Sequence, residues 1–260
     1  MFLLFCSKTD LEAIWLYKKL TAKIDFDSEI LFAEDLYDCK GWMLRVNNSM
    51  SFAEVVSPAG RKINTENVTL FINRVNNLNH PFWAKKEVSE RQYFHQEWNA
   101  FLLGWLQAFQ PVLINKISPT SFSGFGGSPL RWSLMARKAG FILKPQSYLS
   151  ASKNIEYLFT SQVSKRSRSL LVYRRKVYCD LDLAGLSGKC LRLASVCECD
   201  LLEVFVEKKR DGHFKFITAT SLPAFSKFSQ SFVQAFRHSV IEAQENIPHE
   251  KKIENLINSL

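Results

Sequence analysis

The stretch Ser89–Asn115, SERQYFHQEWNAFLLGWLQAFQPVLIN, holds both kinds of regular structure that this chain must combine. Tyr93, Phe94, Trp98, Phe101, Leu102, Trp105, Leu106 and Phe109 recur at intervals of three and four, the period of a helix with one apolar stripe. Ser89 stands where an N-cap belongs, Glu90 suits the dipole of the first turn, and Pro111 stops the helix. Val112-Leu113-Ile114-Asn115 follows as a short apolar strand. A helix that feeds directly into a strand predicts a mixed α/β fold.

Working outward, the N-terminal run Phe2–Cys6 predicts a strand, Asp10 a helix cap, and Leu11, Ile14, Trp15, Leu16 and Leu20 an amphipathic helix. Further strands are expected over 29–33, 42–46, 51–56 and 68–72, punctuated by Asn47-Asn48 and Pro58-Ala59-Gly60. These elements make an α/β lobe over 1–117. The Ser/Gly/Pro-rich segment from Ser118 to Ser128 predicts a connection into a second lobe over 118–260. There the sequence predicts a helix over 130–139 ended by Gly140, with Pro145 beyond it, and a hairpin over 170–178 around Arg174-Arg175. A helix over 187–196, a hairpin over 201–218 through Asp211-Gly212 and a closing helix over 225–245 complete it.

The chain has 260 residues, 47% of them hydrophobic, with 21 Phe, so it has material for a sizeable core. Its net charge of +9 favours an anionic partner: nucleotide phosphate, nucleic acid or an acidic peptide. The basic residues gather at Lys165-Arg166-Ser167-Arg168, Arg174-Arg175-Lys176 and Lys208-Lys209-Arg210, which serve either as ligand contacts or as a solvated face. No segment has the roughly 18–20 consecutive apolar residues of a membrane helix. The apolar opening is too short for a signal peptide, so a cytoplasmic protein with no membrane partner is expected. Six cysteines, with only Cys197-Glu198-Cys199 close-set, are expected to be structural thiols. The five histidines are dispersed and no H-E-x-x-H or G-x-S-x-G pattern occurs. Ser123-Gly124-Phe125-Gly126-Gly127 lacks the Lys-Ser/Thr of a phosphate-binding loop and is expected to be a connector.

Several phrases, taken in order, resemble the ATP-grasp ligases of the RimK and microviridin-ligase type. They are Phe71-Ile72-Asn73-Arg74, Glu97 ahead of Phe101-Leu102-Leu103-Gly104-Trp105-Leu106, and Val112-Leu113-Ile114-Asn115. The helix Trp132–Phe141 with Pro145-Gln146-Ser147, the hairpin Leu170–Tyr178, and the final hairpin of Leu201–Phe205 with Gly212–Pro223 continue the likeness. The resemblance implies an ATP-grasp-like fold: a pre-ATP-grasp α/β lobe over 1–117, then a reduced antiparallel-sheet lobe over 118–260. It makes Arg74, Glu97, Asn115 and Arg131 candidate substrate-binding residues, whose alternatives are a strand cap, surface ion pairs and a turn. Arg166, Arg168, Arg174 and Lys176 are the candidate phosphate or anion contacts.

The departures shape the functional expectation. Between Tyr148 and Leu170 the family places a sheet with a phosphate-binding Lys and an adenine-reading hinge, where this chain has a short Ser/Lys/Arg-rich interval. At the positions of the family's magnesium carboxylates stand Phe205 and Ala219, with Glu203 and Glu207 facing the same side as Phe205. A degenerate protein is therefore expected, without a cofactor and with no catalytic or metal residue assigned. It would bind a peptide or amino-acid substrate, or a partner modifying enzyme, as a monomer or a homodimer. The alternative is an active Mg-ATP-dependent carboxylate–amine ligase, with Glu203, Glu207 or Asp200 holding magnesium. A second alternative is a nucleic-acid-binding module using Lys165–Lys176 with Tyr173 and Tyr178 as stacking rings.

Overall fold

The run Phe2–Cys6 forms strand β1 and is buried at every position, the environment that a continuous apolar run encodes in a parallel sheet. The computed structural model describes residues 1–22, 26–48, 50–76, 87–117, 121–143, 166–209, 212–228 and 230–245. They fall into two units. One takes in Met1–Ser123 with the C-terminal helix Gln230–Glu245, the other Gly124–Ser229. The sequence expectation drew the boundary after 117 and put that helix in the second lobe.

In the first unit β1 pairs in parallel with β2 (Ser28–Phe32) on one side and β6 (Leu70–Asn73) on the other, and β7 (Leu113–Ile114) follows β6. One face of β1 gives Leu3 and Phe5 to a core with Phe71, Trp105, Leu106 and Phe109. On the other, the Phe2 ring meets Tyr17 of α1 (Leu11–Thr21) at 6.5 Å and Phe236 at 6.1 Å. A small antiparallel sheet of β3 (Lys40–Val46), β4 (Ser51–Val56) and β5 (Lys62–Asn64) lies against α2 (Val88–Ala108). Trp42 of β3 makes edge contacts with Trp98, Phe101 and Trp105 of α2 at 5.6, 5.7 and 5.3 Å. The approach is close: a Cβ on Gly104 would come within 3.0 Å of Leu44 Cδ2.

The helix predicted from Ser89 begins one residue earlier. Glu87 occupies the N-cap without a side-chain bond, and Ser89 lies inside the first turn. The apolar stripe also runs past the surface it packs on, since Tyr93 is 60% and Phe94 38% exposed while Trp105 and Phe109 are fully buried.

In the second unit the strand order is β10–β9–β11–β12–β8, with β8 Ile142–Leu143, β9 Ser167–Tyr173, β10 Lys176–Tyr178, β11 Leu201–Lys208 and β12 Phe214–Thr220. One face of this sheet presents Leu170, Val172, Leu202, Val204, Val206, Phe216 and Ala219 to α3 (Pro129–Lys138) and α4 (Ser187–Val196). Ser128 caps α3 by accepting from the Arg131 N–H at 3.4 Å, and Gly140 ends the turn at φ +87°, where a side chain would be strained. The closing segment is not one helix: Phe225–Lys227 is a 3₁₀ turn, and α5, Gln230–Glu245, starts after it. Pro145-Gln146-Ser147 and Asp211 fall outside the described residues.

All six cysteines are free thiols, as the sequence led us to expect. Burial pushes Cys6, Cys190 and Cys197 up to about 12, and Cys39 and Cys199 up to about 11, from an ordinary 9.0. Their folded-state protons are held tighter than in the unfolded chain, so their contribution to stability is complete below about pH 9 and is lost as pH climbs from there towards 12. Unfolding free energies measured across that range should fall, and native thiols should react with a disulfide reagent far more slowly than those of the urea-unfolded chain. Trp105→Ala should cost about 3–5 kcal/mol in the same unfolding measurement, because it empties the contact between α2, β3 and the parallel sheet.

Candidate functional site

Two surfaces gather polar chemistry, one in each unit. In open α/β sheets ligands bind outside the carboxyl ends of the strands. At that edge of the first unit's sheet, Arg74 follows β6 and donates from Nε to Asp10 Oδ2 at 2.7 Å and from a terminal nitrogen to Oδ1 at 3.3 Å. Its side chain is only 6% exposed. Asp10 Oδ1 also accepts the Ala13 N–H at 3.0 Å, so one carboxylate caps α1 and anchors Arg74. Asn73 Nδ2 donates to the Phe122 carbonyl at 2.7 Å, and its Oδ1 accepts the Val75 N–H at 2.9 Å. Asn76 Oδ1 accepts from Ser121 Oγ at 3.4 Å and from Ser123 Oγ. Asn115, just past β7, is buried at φ +65°, a backbone state that asparagine tolerates better than most residues.

In the second unit the site lies on the sheet face opposite α3 and α4. Directly paired residues share a face, so Glu203 lies with Leu171 and Thr220, Phe205 with Ser169 and Thr218, and Leu201 with Tyr173 and Lys176. Ala219 pairs with Val204 and faces the core. The sequence comparison that set Ala219 on the ligand side was thus one residue out of register; Thr218 and Thr220 occupy that side. Glu203 is 1% exposed. Its Oε2 accepts the Ala224 N–H at 2.8 Å, and its Oε1 lies 3.9 Å from Lys227 Nζ, which sits 5.6 Å over the Phe205 ring. Glu207 is held by Lys215 at 2.7 Å.

The predicted site residues separate accordingly. Arg74 and Asn115 share the carboxyl edge of one sheet, at the ends of the adjacent strands β6 and β7. Glu97 lies on the exposed side of α2. Arg131 belongs to the second unit, where it donates to the Gly126 carbonyl at 2.9 Å and lies 4.8 Å over the Phe125 ring, bracing the glycine-rich connector. Arg166 is exposed just ahead of β9. Arg168 pairs with Asp180 at 3.2 Å. Arg174 lies in the two-residue turn between β9 and β10, and Lys176 is the first residue of β10. Tyr173 and Tyr178, proposed as base-stacking rings, are both buried. Sequence reading missed Asn73, Asn76 and Lys227, and the run of polar residues closing β6 was the available signal for the first two.

No family model matches the chain and no curated protein matches it. Solved structures do. It superposes on the macrocyclase MdnC from Microcystis aeruginosa, bound with precursor peptide MdnA, with a TM-score of 0.66 at 9% identity over 93% of this chain and 100% of that one. The ATP-grasp ligase PsnB, complexed with minimal precursor, Mg and ADP, gives 0.64 at 9% identity over 94% and 98%. A RiPP-associated ATP-grasp ligase of Chryseobacterium gregarium, in complex with ADP and a leader and core peptide, gives 0.59 at 13% identity over 85% and 89%.

The chain has an ATP-grasp ligase-type fold. That likeness carries the fold alone and gives no ground of its own for a degenerate member. The question of nucleotide chemistry falls to the donor set. Magnesium asks for several hard oxygens at about 2.0–2.1 Å. Glu203 and Glu207 stand four residues apart on one strand, a separation of about 13 Å at 3.3 Å per residue, so they cannot share an ion. Each is also held by a lysine of its own chain. Among the described residues no group of three acidic, histidine or cysteine side chains converges on a metal position. The side chains described on this ATP-grasp sheet do not fit magnesium, and no step is derived through it. Glu203→Ala should lower the unfolding free energy by about 1–3 kcal/mol, read by urea titration, because it strands the Ala224 N–H and removes the partner of Lys227.

Proposed function

We propose that this protein uses its ATP-grasp fold to bind a peptide, and that it does so without ligating it. The fold supports the first half: the matched ligases are described in complex with precursor, leader or core peptides. The carboxyl edge of the first unit's sheet carries an ordered polar network, in which Arg74 is held by Asp10 and Asn115 is buried. The observation that supports the second half is the setting of Glu203, which is buried, accepts the Ala224 N–H and has Lys227 Nζ 3.9 Å from its other oxygen, with threonines rather than further carboxylates beside it. In this reading the chain holds a peptide for a partner modifying enzyme.

A second reading is supported by two of the matched ligases: PsnB is described in complex with Mg and ADP, and the Chryseobacterium gregarium ligase in complex with ADP. There the chain is an Mg-ATP-dependent carboxylate–amine ligase. Titrating Mg-ATP into the protein, by calorimetry and by thermal shift, separates the two. The non-ligating reading expects no heat and an unchanged melting temperature. Saturation a hundredfold above Kd would stabilise the fold by about 2.7 kcal/mol, and a shift of that order would establish the ligase reading instead.

A further inference from the structure

The turn between β9 and β10 carries side chains that its backbone does not favour. Tyr173 pairs with Lys176 across a two-residue loop, Arg174-Arg175, whose φ angles are 41° and 62°. Tight hairpin turns that need positive φ at both positions select Asn-Gly, and a residue with a Cβ is strained there. Two successive arginines are a poor choice for the turn as a turn. They are placed for display: both are exposed, as is Lys176.

Their surroundings hold them ready. The Arg174 N–H is tied to the Asp200 carbonyl at 2.9 Å. Its guanidinium lies 5.7 Å over the Tyr173 ring, and Lys176 Nζ lies 5.5 Å over Tyr178, so each cation rests on a buried aromatic that limits its wandering. Among the described residues no carboxylate pairs with Arg174, Arg175 or Lys176, whereas Arg61, Arg74, Arg168, Lys215 and Lys227 all have one.

We propose that Arg174, Arg175 and Lys176 form the docking point for an acidic segment of a bound peptide. The inference rests on the peptide-binding reading above and names the charge of the ligand. Guanidinium groups match carboxylates through paired hydrogen bonds, and alternate residues of an extended acidic peptide lie on one side, within reach of neighbouring cations. A single-stranded nucleic acid fits less well, because it binds by stacking bases on accessible rings and Tyr173 and Tyr178 are covered.

The double variant R174N/R175G tests this with two readouts of opposite sign. It restores the residues the turn prefers, so its melting temperature should rise by about 2–4 °C, which excludes misfolding as the cause of any loss. Fluorescence anisotropy with a labelled Glu-rich peptide should show wild type binding at least about tenfold more tightly than a Gln-rich peptide of equal length, and the variant should lose that preference. Added salt should weaken the wild-type complex and leave the variant nearly unaffected. The proposal is overturned by a variant that keeps the preference, by a wild type that has none, or by an oligonucleotide of equal charge that binds more tightly than the Glu-rich peptide. A wild type with no Glu preference together with a blank Mg-ATP titration sinks this docking point alone. Uptake of Mg-ATP with the preference intact sinks the non-ligating reading alone.

Discussion

A strand buried on both faces leaves no freedom to what surrounds it, and β1 is such a strand. Each of its five residues must be matched by apolar surface, from α2 and the parallel sheet on one side and from α1 and α5 on the other. Its register with β2 and β6 then sets where their carboxyl ends fall. Arg74 extends that ladder by donating its N–H to the Phe5 carbonyl at 2.8 Å, and its side chain finds Asp10 at the start of α1. The polar edge that we read as a peptide site is a direct outcome of burying Phe2–Cys6.

The second unit solves a different problem. Its sheet has one face against helices and one face given to Glu203, Phe205, the threonines and the tyrosines. Cations lie over the rings there, and Lys227 of the same chain stands 3.9 Å from the buried Glu203. The exposed cations at the β9–β10 end of this sheet are in keeping with a chain of net charge +9. Lysines of the same chain stand beside both Glu203 and Glu207.

Much of the fold was legible because its signals are local and repetitive. The stripe from Trp98 to Phe109, the run Phe2–Cys6, Gly140 after α3 and the β9–β10 hairpin all came through from period and turn chemistry alone. What escaped depended on tertiary placement. Tyr93 and Phe94 continue the helical period, but nothing in a sequence says where the surface beneath a helix ends. The facing of Ala219 was lost by one residue: the resemblance set it alongside Phe205, whereas the ladder pairs it with Val204 and turns it to the core. Among the candidate site residues, Arg74 and Asn115 share a sheet edge because their strands are neighbours. Arg131 shared with them only a resemblance of phrases.

The return of α5 to the first unit has a consequence for synthesis. Residues 124–229 are contiguous in sequence, whereas the face of β1 that carries Phe2 has Tyr17 and Phe26 against it but lacks Phe236 until the C-terminal helix has been translated. Strand β1 thus waits for α5 to complete its cover, and apolar surface left open on the nascent chain is a binding site for chaperones throughout that interval.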